Sequence, residues 1–358
     1  MKTYICSEFL TQLSLLALML LIANNKVLAK STKTELIRSS ALIMLCAIAE
    51  FVGVIYDRGL ATSIPFHALA KYLELCLTPL VPIMLAKVFR SDRLGTIAFI
   101  PSIINIILQT LSLFFGFIFY VDSSNIYHHG DYYWLYFFFI FSNLLYLSYV
   151  TISFGAKLQN RQYIPLFVII GFVLVGTIFQ ATDSSIKMVW LSVAIGLILF
   201  YIYYCNMVYQ IDSVTELLNR RAYEINKSLL KKRAYIIFFD VNNFKSINDK
   251  FGHDAGDRCL KCVADAIRKT YEKNGLCYRV GGDEFCVIID KKTHSCNIEK
   301  LNEQFTNLLN TKSFNDMGIP SVAIGYAVFN PKSNKLSGAI RHADEQMYLN
   351  KIKNKQNP

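Results

Sequence analysis

The chain of 358 residues carries a formal net charge of +11, and 53% of its residues are hydrophobic. Ordinary soluble domains contain roughly 45–50% apolar residues. The higher apolar fraction of this chain and its positive mean hydropathy of +0.34 therefore exclude an entirely water-soluble protein. Charged residues are concentrated in residues 210–358, which hold 24 of the 37 Lys and Arg residues and 17 of the 26 Asp and Glu residues. The sequence therefore predicts a membrane region at residues 1–209 and a water-soluble domain at residues 210–358.

Seven apolar stretches are long enough, or nearly so, to cross a bilayer core, which takes roughly 20 helical residues. They lie at residues 5–23, 36–56, 64–86, 94–121, 132–154, 163–180 and 186–208. The first has the length of a signal peptide, but it lacks a clear small-residue cleavage site and leads into a basic loop. We expect it to remain as a span, so the region is predicted to be an all-α bundle of seven transmembrane helices.

The basic residues of the loops predict the orientation of this bundle. The loops after the first, third and fifth spans hold nine Lys and Arg residues, whereas the opposite side has three. The nine are Lys26, Lys30, Lys33, Arg38, Lys87, Arg90, Arg93, Lys157 and Arg161, and the three are Lys2, Arg58 and Lys187. Because basic loops stay in the cytoplasm, the N-terminus is predicted outside and the soluble domain in the cytoplasm. An odd number of spans requires the same arrangement.

Three charged residues, Glu50, Lys71 and Glu74, fall well inside predicted spans, away from their ends. Charges at this depth are costly and usually face a bundle interior or a cavity. Lys71 and Glu74 are three residues apart and share a helix face. One interpretation is an internal ion pair that fixes helix packing, and the other is a polar pocket that binds a signal. A transporter is a further alternative, although no paired, interrupted helices in two matching halves support it. We therefore expect residues 1–209 to be a sensor or anchor region.

The nine cysteines do not predict a disulfide framework, because they lie in spans or in the predicted cytoplasmic domain, where thiols stay reduced. Cys259 and Cys262 have a metal-like spacing, but they lie mid-helix with no second ligand pair nearby, which argues against a zinc site. No signature of a nucleic-acid-binding fold accompanies the basic charge. Loops that face anionic lipid and a phosphate-handling site explain that charge better.

The soluble domain begins with a predicted helix that Asp212 or Ser213 could cap. Its apolar positions recur at roughly helical spacing, and no Gly/Ser linker separates it from the last span, so we expect an almost continuous helix. A buried strand follows at "AYIIFF", and Asp240 closes it, either to enter a site or to cap a helix. "GHDAGD" opens a helix that runs to about Tyr271. The later elements are a hairpin at 278–290, a helix near 297–310, a strand at "SVAIGYAVF" and a final helix at about 338–353.

The hairpin "YRVGGDEFCVIID" places two carboxylates beside a glycine pair. A Gly-Gly pair between strand formers predicts a two-residue turn in which both glycines have positive φ. If the second hairpin strand lies beside the strand of Asp240, then Asp283 and Glu284 converge on Asp240. Clustered carboxylates repel each other unless a cation joins them, and Mg²⁺ is commonly held by carboxylates together with substrate phosphates. The hairpin is therefore predicted to form a metal-carboxylate platform for a phosphate-bearing ligand.

Several motifs of residues 210–358 together resemble the GGDEF domain of the diguanylate cyclase family. "GGDEF" at 281–285 is the name-giving motif of that family. "DSVTELLNRRAY" resembles the opening D-x-L-T-x-L-x-N-R-R, and "DVNNFKSINDKFGHDAGD" resembles D-x-D-x-F-K-x-x-N-D-x-x-G-H-x-x-G-D. "ADEQMYLNKIKNKQN" resembles the closing A-D-x-A-M-Y-x-A-K-x-x-G-R-N.

This resemblance implies an α/β (α+β) palm-like nucleotidyl-cyclase domain, with a central, mostly antiparallel sheet flanked by helices. The implied reaction joins two GTP molecules into cyclic di-GMP and releases two pyrophosphates. It uses two Mg²⁺ or Mn²⁺ ions per site and two domains face to face, and hence a homodimer. The implied setting is a bacterial cell (inner) membrane, with a lipid bilayer as partner and no nucleic acid.

The resemblance also implies roles for individual positions. Asp283 and Glu284 would be catalytic, with Asp283 as the proton acceptor. The metal ligands would be Asp240, the carbonyl of Val241, Asp283 and Glu284. The GTP-binding residues would be Asn243, Phe244 and Lys245 at the phosphates, Asn248 and Asp257 at the guanine, and Lys351 and Lys355 at the phosphates. Arg279, Gly281 and Gly282 would support the hairpin.

Three departures from the family pattern qualify these expectations. Asn242 replaces the second Asp of D-x-D, Lys355 replaces an Arg, and Asn350 replaces an Ala. Residues 272–275 read "EKNG" where the family's product-inhibition motif R-x-x-D would end, so we expect no high-affinity product feedback there. The alternative to an active cyclase is a catalytically inactive GGDEF domain that binds GTP as a regulatory module.

Overall fold

The computed structural model of the chain describes residues 2–89, 96–157, 164–182, 187–290, 297–311 and 320–356. The chain divides into two compact units. A helical unit comprises Met1–Ala156 and Arg161–Cys205, and a mixed unit comprises Lys157–Asn160 and Asn206–Pro358.

The helical unit contains eight α-helices, one 3₁₀ helix (Thr96–Phe99) and one short hairpin in the described ranges. In chain order they are α1 (Lys2–Asn24), α2 (Lys30–Asp57), α3 (Ile64–Leu77), α4 (Leu80–Ala86), α5 (Ile100–Phe115), β1 (Phe119–Val121), β2 (Tyr127–His129), α6 (Trp134–Lys157), α7 (Ile164–Thr182) and α8 (Val189–Val208). Among described residues, six helical segments are long and apolar enough to span a membrane, with α3 and α4 together forming one of them. The apolar run within α7, Leu166–Gln180, is shorter, so six of the seven predicted spans meet that length.

The predicted fourth span extends too far, because α5 ends at Phe115 rather than at residue 121. Gly116 adopts a left-handed φ of 69°, which glycine tolerates without steric cost. The Ser112 hydroxyl accepts hydrogen bonds from the backbone N–H groups of Ile118 and Phe119, at 2.9 and 3.0 Å. These contacts turn the chain out of the helix and into the antiparallel β1–β2 hairpin.

The predicted third span is interrupted between α3 and α4. Pro79 has no N–H to donate to the carbonyl of Leu75, and Asn105 on α5 donates to that carbonyl instead, at 3.0 Å. Asn143 on α6 donates to the carbonyl of Pro79 at 2.7 Å. Both amides are buried, so they satisfy polar backbone groups that the break would otherwise leave unpaired.

Contacts between loops agree with an alternating passage of the chain through the bundle. The Asn125 side chain, in the β1–β2 loop, donates to the carbonyl of Ala61 after α2. The Ser7 hydroxyl, near the N-terminus, donates to the carbonyl of Lys187 before α8. The Tyr4 hydroxyl donates to Glu50 in the second half of α2, which brings these contacts to the same end of the bundle.

The mixed unit is an α/β domain built on one antiparallel sheet. Its elements are α9 (Arg220–Ser228), β3 (Ala234–Val241), α10 (Phe244–Phe251), α11 (His253–Tyr271), β4 (Leu276–Arg279), β5 (Glu284–Asp290), α12 (Ile298–Asn310), β6 (Val322–Phe329) and α13 (Leu336–Gln356). The strand order is β4-β5-β3-β6. The predicted strands and the predicted helices at α11, α12 and α13 are confirmed within a few residues.

Side chains alternate across this sheet and so form two apolar layers. Ile237, Phe239 and Val287 pack with residues of α11 and α12. Ile236 and Cys286, on the opposite face, pack with residues of α9 and α13. The even-numbered face of β3 therefore carries Asp240 toward the layer that contains α13.

The helix predicted from Asp212 forms only in its second part, so α8 and α9 are separate helices. Helix α8 ends at Val208, and α9 begins only at Arg220, where the Asn219 side chain accepts a hydrogen bond from the Ala222 N–H. Between them Leu218 lies alongside β4, donating to the Cys277 carbonyl and accepting from the Arg279 N–H. The apolar positions of this segment are therefore spaced for burial against a strand rather than for a helix.

Candidate functional site

The central feature of the candidate site is the pairing of Asp240 with Glu284 on neighbouring antiparallel strands. The two residues lie directly opposite each other in the β3–β5 register, so their side chains project from the same face. The Val241 N–H donates to the Asp283 carbonyl at 3.1 Å, which extends the pairing by one residue. Asp240 is only 5% exposed, whereas Glu284 lies at the exposed start of β5.

The hairpin loop differs from the predicted two-residue turn. Residues 280–283 connect β4 to β5, and the N–H groups of Val280 and Gly281 both donate to the Glu284 carbonyl, at 2.9 and 3.3 Å. Both glycines lie in the described part of the chain, and neither has a positive φ. The expected positive φ is therefore wrong, because a four-residue loop with these bonds does not need it.

The two glycines have different surroundings. A Cβ added at Gly281 would lie 2.5 Å from Glu284 Oε2 and 3.2 Å from Glu284 Cβ. A Cβ added at Gly282 would meet nothing within 4 Å. Gly281 thus makes room for the Glu284 side chain, whereas the open space at Gly282 is available to an approaching molecule.

Arg279 stabilises the hairpin loop through hydrogen bonds to its backbone. Its guanidinium donates to the Gly282 carbonyl through Nη2 at 2.8 Å and through Nε at 3.2 Å, and through Nη1 to Asp212 Oδ1 at 3.0 Å. Burial opposes ionisation of Asp212, but hydrogen bonds from Thr215 and Arg279 outweigh it and lower the Asp212 pKa. Asp212, which stands first in the "DSVT" motif, was not predicted as a site residue.

Lys351 reaches Asp240 from α13. Its Nζ donates to Asp240 Oδ2 at 2.8 Å and lies 2.6 Å from Oδ1. Gly325 on β6 allows this helix to lie close, since a Cβ there would clash with the backbone nitrogen of Met347. Lys355 belongs to the last turn of α13, but its side chain lies outside the described residues.

The charge balance of the site is negative around Glu284. Burial raises the pKa of Glu284, and the nearby Asp283, Asp240 and Asp344 raise it further, while Lys351 partly offsets them. Asp344 on α13 was also missed from the sequence. In the sequence, only its place in the closing "ADEQMY" motif indicated a role for Asp344. It lies four residues after Ile340, which packs against the domain core.

The residues predicted to contact the nucleotide lie on α10 and α11. Asn243 precedes α10 with a left-handed φ of 55°, and α10 itself, which begins at Phe244, was not predicted. The exposed Lys245 and the half-buried Asn248 follow on this helix. A Cβ at Gly256 of α11 would clash with Asn248 Oδ1, so the Asn248 side chain packs against α11 at Gly256. The next residue of that helix is the exposed Asp257.

The oxygen donors suit a hard divalent cation. Asp240 Oδ1 is buried and lacks a well-directed hydrogen bond, although the Lys351 ammonium lies beside it. Carboxylates on one sheet face and the adjacent backbone carbonyl are the ligand types that Mg²⁺ prefers. Within the described ranges, however, no three His, Cys, Asp or Glu side chains stand together as a closed metal site. The residue types fit the ion, and Lys351 supplies the cation next to Asp240 in this arrangement.

The three charged residues predicted inside spans lie in the helical unit, where Glu50 and Lys71 are buried and Glu74 is half-buried. Glu50 accepts hydrogen bonds from Tyr4 at 3.4 Å and from Gln180 at 2.8 Å. Lys71 lies 3.3 Å from Glu74, so the predicted neighbours form an ion pair. The Lys71 ammonium also lies over the Tyr127 ring, 4.9 Å from its centroid. Each charge thus has a polar or aromatic partner inside the bundle.

Comparison with known proteins agrees with the motifs of the mixed unit. The family model for diguanylate cyclase, GGDEF domain, matches residues 209–357. Diguanylate cyclase DgcS of Shewanella oneidensis is 35% identical over 130 residues, which are 34% of this chain and 43% of the relative. Cyclic di-GMP phosphodiesterase NbdA of Pseudomonas aeruginosa is 42% identical over 86 residues, which are 22% of this chain and 11% of the relative.

A solved structure, the GGDEF domain of DgcB from Caulobacter crescentus in complex with c-di-GMP, aligns with a TM-score of 0.37 and 22% identity. The alignment covers 40% of this chain and 90% of that structure. The chain spans less than half of the length of the two curated relatives named above.

The fold defines the mixed unit as an α/β domain with an antiparallel sheet flanked by helices. Residues 209–357 are a GGDEF domain of the diguanylate cyclase family, and a region of apolar helices precedes them. Diguanylate cyclases of this family generally use divalent metal ions.

Proposed function

We propose that the chain is a membrane-bound diguanylate cyclase that condenses two GTP molecules into cyclic di-GMP and two pyrophosphates. The observation that carries the proposal is the register that sets Asp240 opposite Glu284, with Asp283 in the adjoining loop. This arrangement collects carboxylates at one end of the two central strands, β3 and β5, where a triphosphate and its cations can reach them from the hairpin loop. The membrane part, residues 1–209, would anchor and regulate the enzymatic part, residues 210–358.

The carboxylates of Asp240, Asp283 and Glu284 and the carbonyl of Val241 would hold two Mg²⁺ or Mn²⁺ ions. Such ions, when bound, neutralise phosphate charge and make the ribose 3′-hydroxyl more acidic. Asp283 would accept the proton of that hydroxyl. Arg279 would hold the loop in place through the Gly282 carbonyl, so that Asp283 keeps its position.

The remaining site residues would bind and orient GTP. Backbone N–H groups at the start of α10, around Asn243, Phe244 and Lys245, would donate to phosphate oxygens. Asn248 and Asp257 would read guanine, since a carboxylate accepts from guanine N1–H and N2–H₂ and adenine lacks that donor pair. Lys351 would exchange Asp240 for a phosphate, with Lys355 beside it. Because each domain would hold one GTP, catalysis would require a homodimer.

The proposed setting is a bacterial inner membrane, with the N-terminus outside and the GGDEF domain in the cytoplasm. The loop contacts at one end of the bundle support an alternating passage of the chain. The basic loops support the orientation.

The full chain in lipid nanodiscs, supplied with GTP and Mg²⁺, tests this function. We expect cyclic di-GMP and pyrophosphate in a 1:2 ratio, and we expect Asp283→Asn to lower the rate by at least about 100-fold. Asp265→Asn, on the exposed face of α11, is the matched control and should keep the rate.

An inactive GGDEF domain that binds GTP as a regulatory module is the second candidate. The similarity to a relative named as a phosphodiesterase is the observation that favours it. Saturable GTP binding without product, in nanodiscs shown to hold two copies of the chain, would support this module and contradict the cyclase.

A further inference from the structure

The residue that caps α9 is hydrogen-bonded to the two residues that follow the last membrane helix. The Asn219 side chain, which caps α9, donates to the Tyr209 carbonyl at 2.8 Å, and its backbone N–H donates to the Gln210 carbonyl at 2.8 Å. Tyr209 directly follows Val208, the last residue of α8. A 20-residue apolar helix is about as long as a bilayer core is thick. The N-terminal cap of α9 is therefore bonded to the first residues beyond this apolar helix.

The exposed surface of α9 combines apolar and basic side chains. Ala222 and Tyr223 are buried in the domain core, whereas the apolar residues one and two turns after Ala222 are exposed. Ile225 is 42% exposed and Leu229 is 63% exposed, four residues apart and hence neighbours on one face. The exposed cations around them are Arg220, Arg221, Lys231, Lys232 and Arg233.

Negative charge does not balance these cations. Glu224 is the one acidic residue between positions 220 and 233, and it forms an ion pair with Lys227. A helix with exposed apolar residues and with Lys or Arg around them is the pattern that binds at a membrane interface. Basic segments next to a membrane helix attract anionic lipids on the cytoplasmic side.

We propose that α9 is an interfacial helix that binds the headgroups of anionic phospholipids beside the end of α8. Ile225 and Leu229 would enter the headgroup region, and the five cations would contact the phosphates. The proposal goes beyond the cyclase activity and does not depend on it. It commits to lipid because the hydrogen bonds of Asn219 hold the helix next to residue 209, where headgroups lie.

Photo-crosslinking in the full chain tests this contact. A photoreactive benzophenone amino acid replaces Leu229, and the chain is reconstituted into nanodiscs of zwitterionic lipid with or without one part in three of anionic lipid of the same acyl chains. We expect crosslinks to lipid, with a yield at least about fivefold higher with anionic lipid, since each surface Lys or Arg adds to the attraction. Salt at about 1 M should remove most of this difference.

Two matched changes separate lipid recognition from general charge. Lys231→Gln/Lys232→Gln/Arg233→Gln should lower the yield to the zwitterionic level. Lys261→Gln/Lys269→Gln/Lys273→Gln removes the same charge from exposed positions of α11 and of the turn that follows, and it should leave the yield unchanged. The probe placed at the exposed Glu303 of α12 should give no lipid crosslink.

Crosslinks from position 229 to protein instead of lipid would overturn the proposal and assign this face to a second copy or to another part of the chain. A lipid yield that neither anionic lipid nor the triple substitution changes would also overturn it.

Discussion

Lys351 Nζ lies within 2.8 Å of both carboxylate oxygens of Asp240, across the packed interface of α13 and β3. Asp240 is nearly fully buried, and the Lys351 ammonium is the cation that contacts it in the described part of the chain. The same carboxylate is the proposed metal ligand, and the same ammonium is a proposed phosphate ligand. Lys351 therefore stabilises the metal-free site and would have to release Asp240 when nucleotide and metal bind.

Lys351→Met should destabilise the metal-free GGDEF domain by about 1–3 kcal/mol, because it leaves a buried carboxylate without a partner. Alkylation of Cys277 and Cys286, which are buried in the sheet, measures domain unfolding against urea in the full chain. Lys353→Met, exposed on the same helix, is the control and should leave the midpoint unchanged. Equal midpoints for the two variants would contradict the role given to the Lys351–Asp240 pair.

Glu284→Gln should remove part of the pH dependence of stability in metal-free buffer. The pKa of Glu284 is raised from about 4.5, so the folded state holds this proton more tightly than the unfolded state. The stabilisation is complete below the unfolded value and is lost as the pH rises through the folded value. Native protein should therefore lose urea resistance as the pH rises through this window, and the variant should lose less. An identical slope in both proteins would disprove this assignment.

Gly281→Ala and Gly282→Ala should have separable effects. A methyl group at residue 281 would push the Glu284 carboxylate aside, so we expect weaker Mg²⁺-dependent turnover with an almost unchanged urea midpoint. A methyl group at residue 282 meets no protein atom, so any loss there reports on the approach of the ligand itself. Competition binding measures the GTP affinity of each variant, and we expect the affinity of Gly282→Ala for GTP to fall by about tenfold or more. Full GTP affinity in Gly282→Ala would place the nucleotide elsewhere.

Gly325→Ala should destabilise the domain by about 2–3 kcal/mol, because its methyl group would overlap the backbone of α13 near Met347. Gly338 lies within α13 and has open space around an added carbon. The free energy of unfolding of Gly338→Ala should therefore stay within about 0.5 kcal/mol of that of the native protein. The urea midpoint of Cys277 alkylation compares them. A neutral Gly325→Ala would show that β6 and α13 are packed less closely than the structure has them.

Gly53→Ala should destabilise the helical unit by displacing the Lys71 side chain. A methyl group at residue 53 would lie 2.6 Å from Lys71 Cε and would displace the ammonium from Glu74. We expect a loss of about 1–2 kcal/mol. Alkylation of the buried Cys46 and Cys76 against dodecyl sulfate measures it. Gly171→Ala, with open space on α7, is the control, and an equal response of both variants would contradict the proposed contact.

Sequence pattern was sufficient for the elements whose environment is uniform along their length. The continuous apolar run of β3 and the helical spacing of α11 reflect burial against many neighbours, so local composition predicts them. It was insufficient at residues 212–219. There the same apolar spacing fits a helix and a segment packed along β4, and the bonds of Leu218 with Cys277 and Arg279 decide for the second.

The carboxylates of the site were predictable for a related reason. Asp240 and the pair at 283–284 stand at the ends of strand patterns, and the only question was whether those strands are neighbours. The conformation of the loop was not predictable, because the choice between a two-residue and a four-residue turn depends on which amides reach the Glu284 carbonyl.

The amino-acid sequence by itself determined that an apolar helical region precedes a GGDEF domain, because hydrophobicity, charge and motif are properties of the residues alone. The tertiary structure decided that Lys351 pairs with Asp240, that Arg279 joins Asp212 to the loop, and that α9 begins beside the end of α8. Each of these contacts joins residues that lie far apart in the chain or that a turn brings together. Their formation depends on how helices and strands pack, which no local pattern encodes.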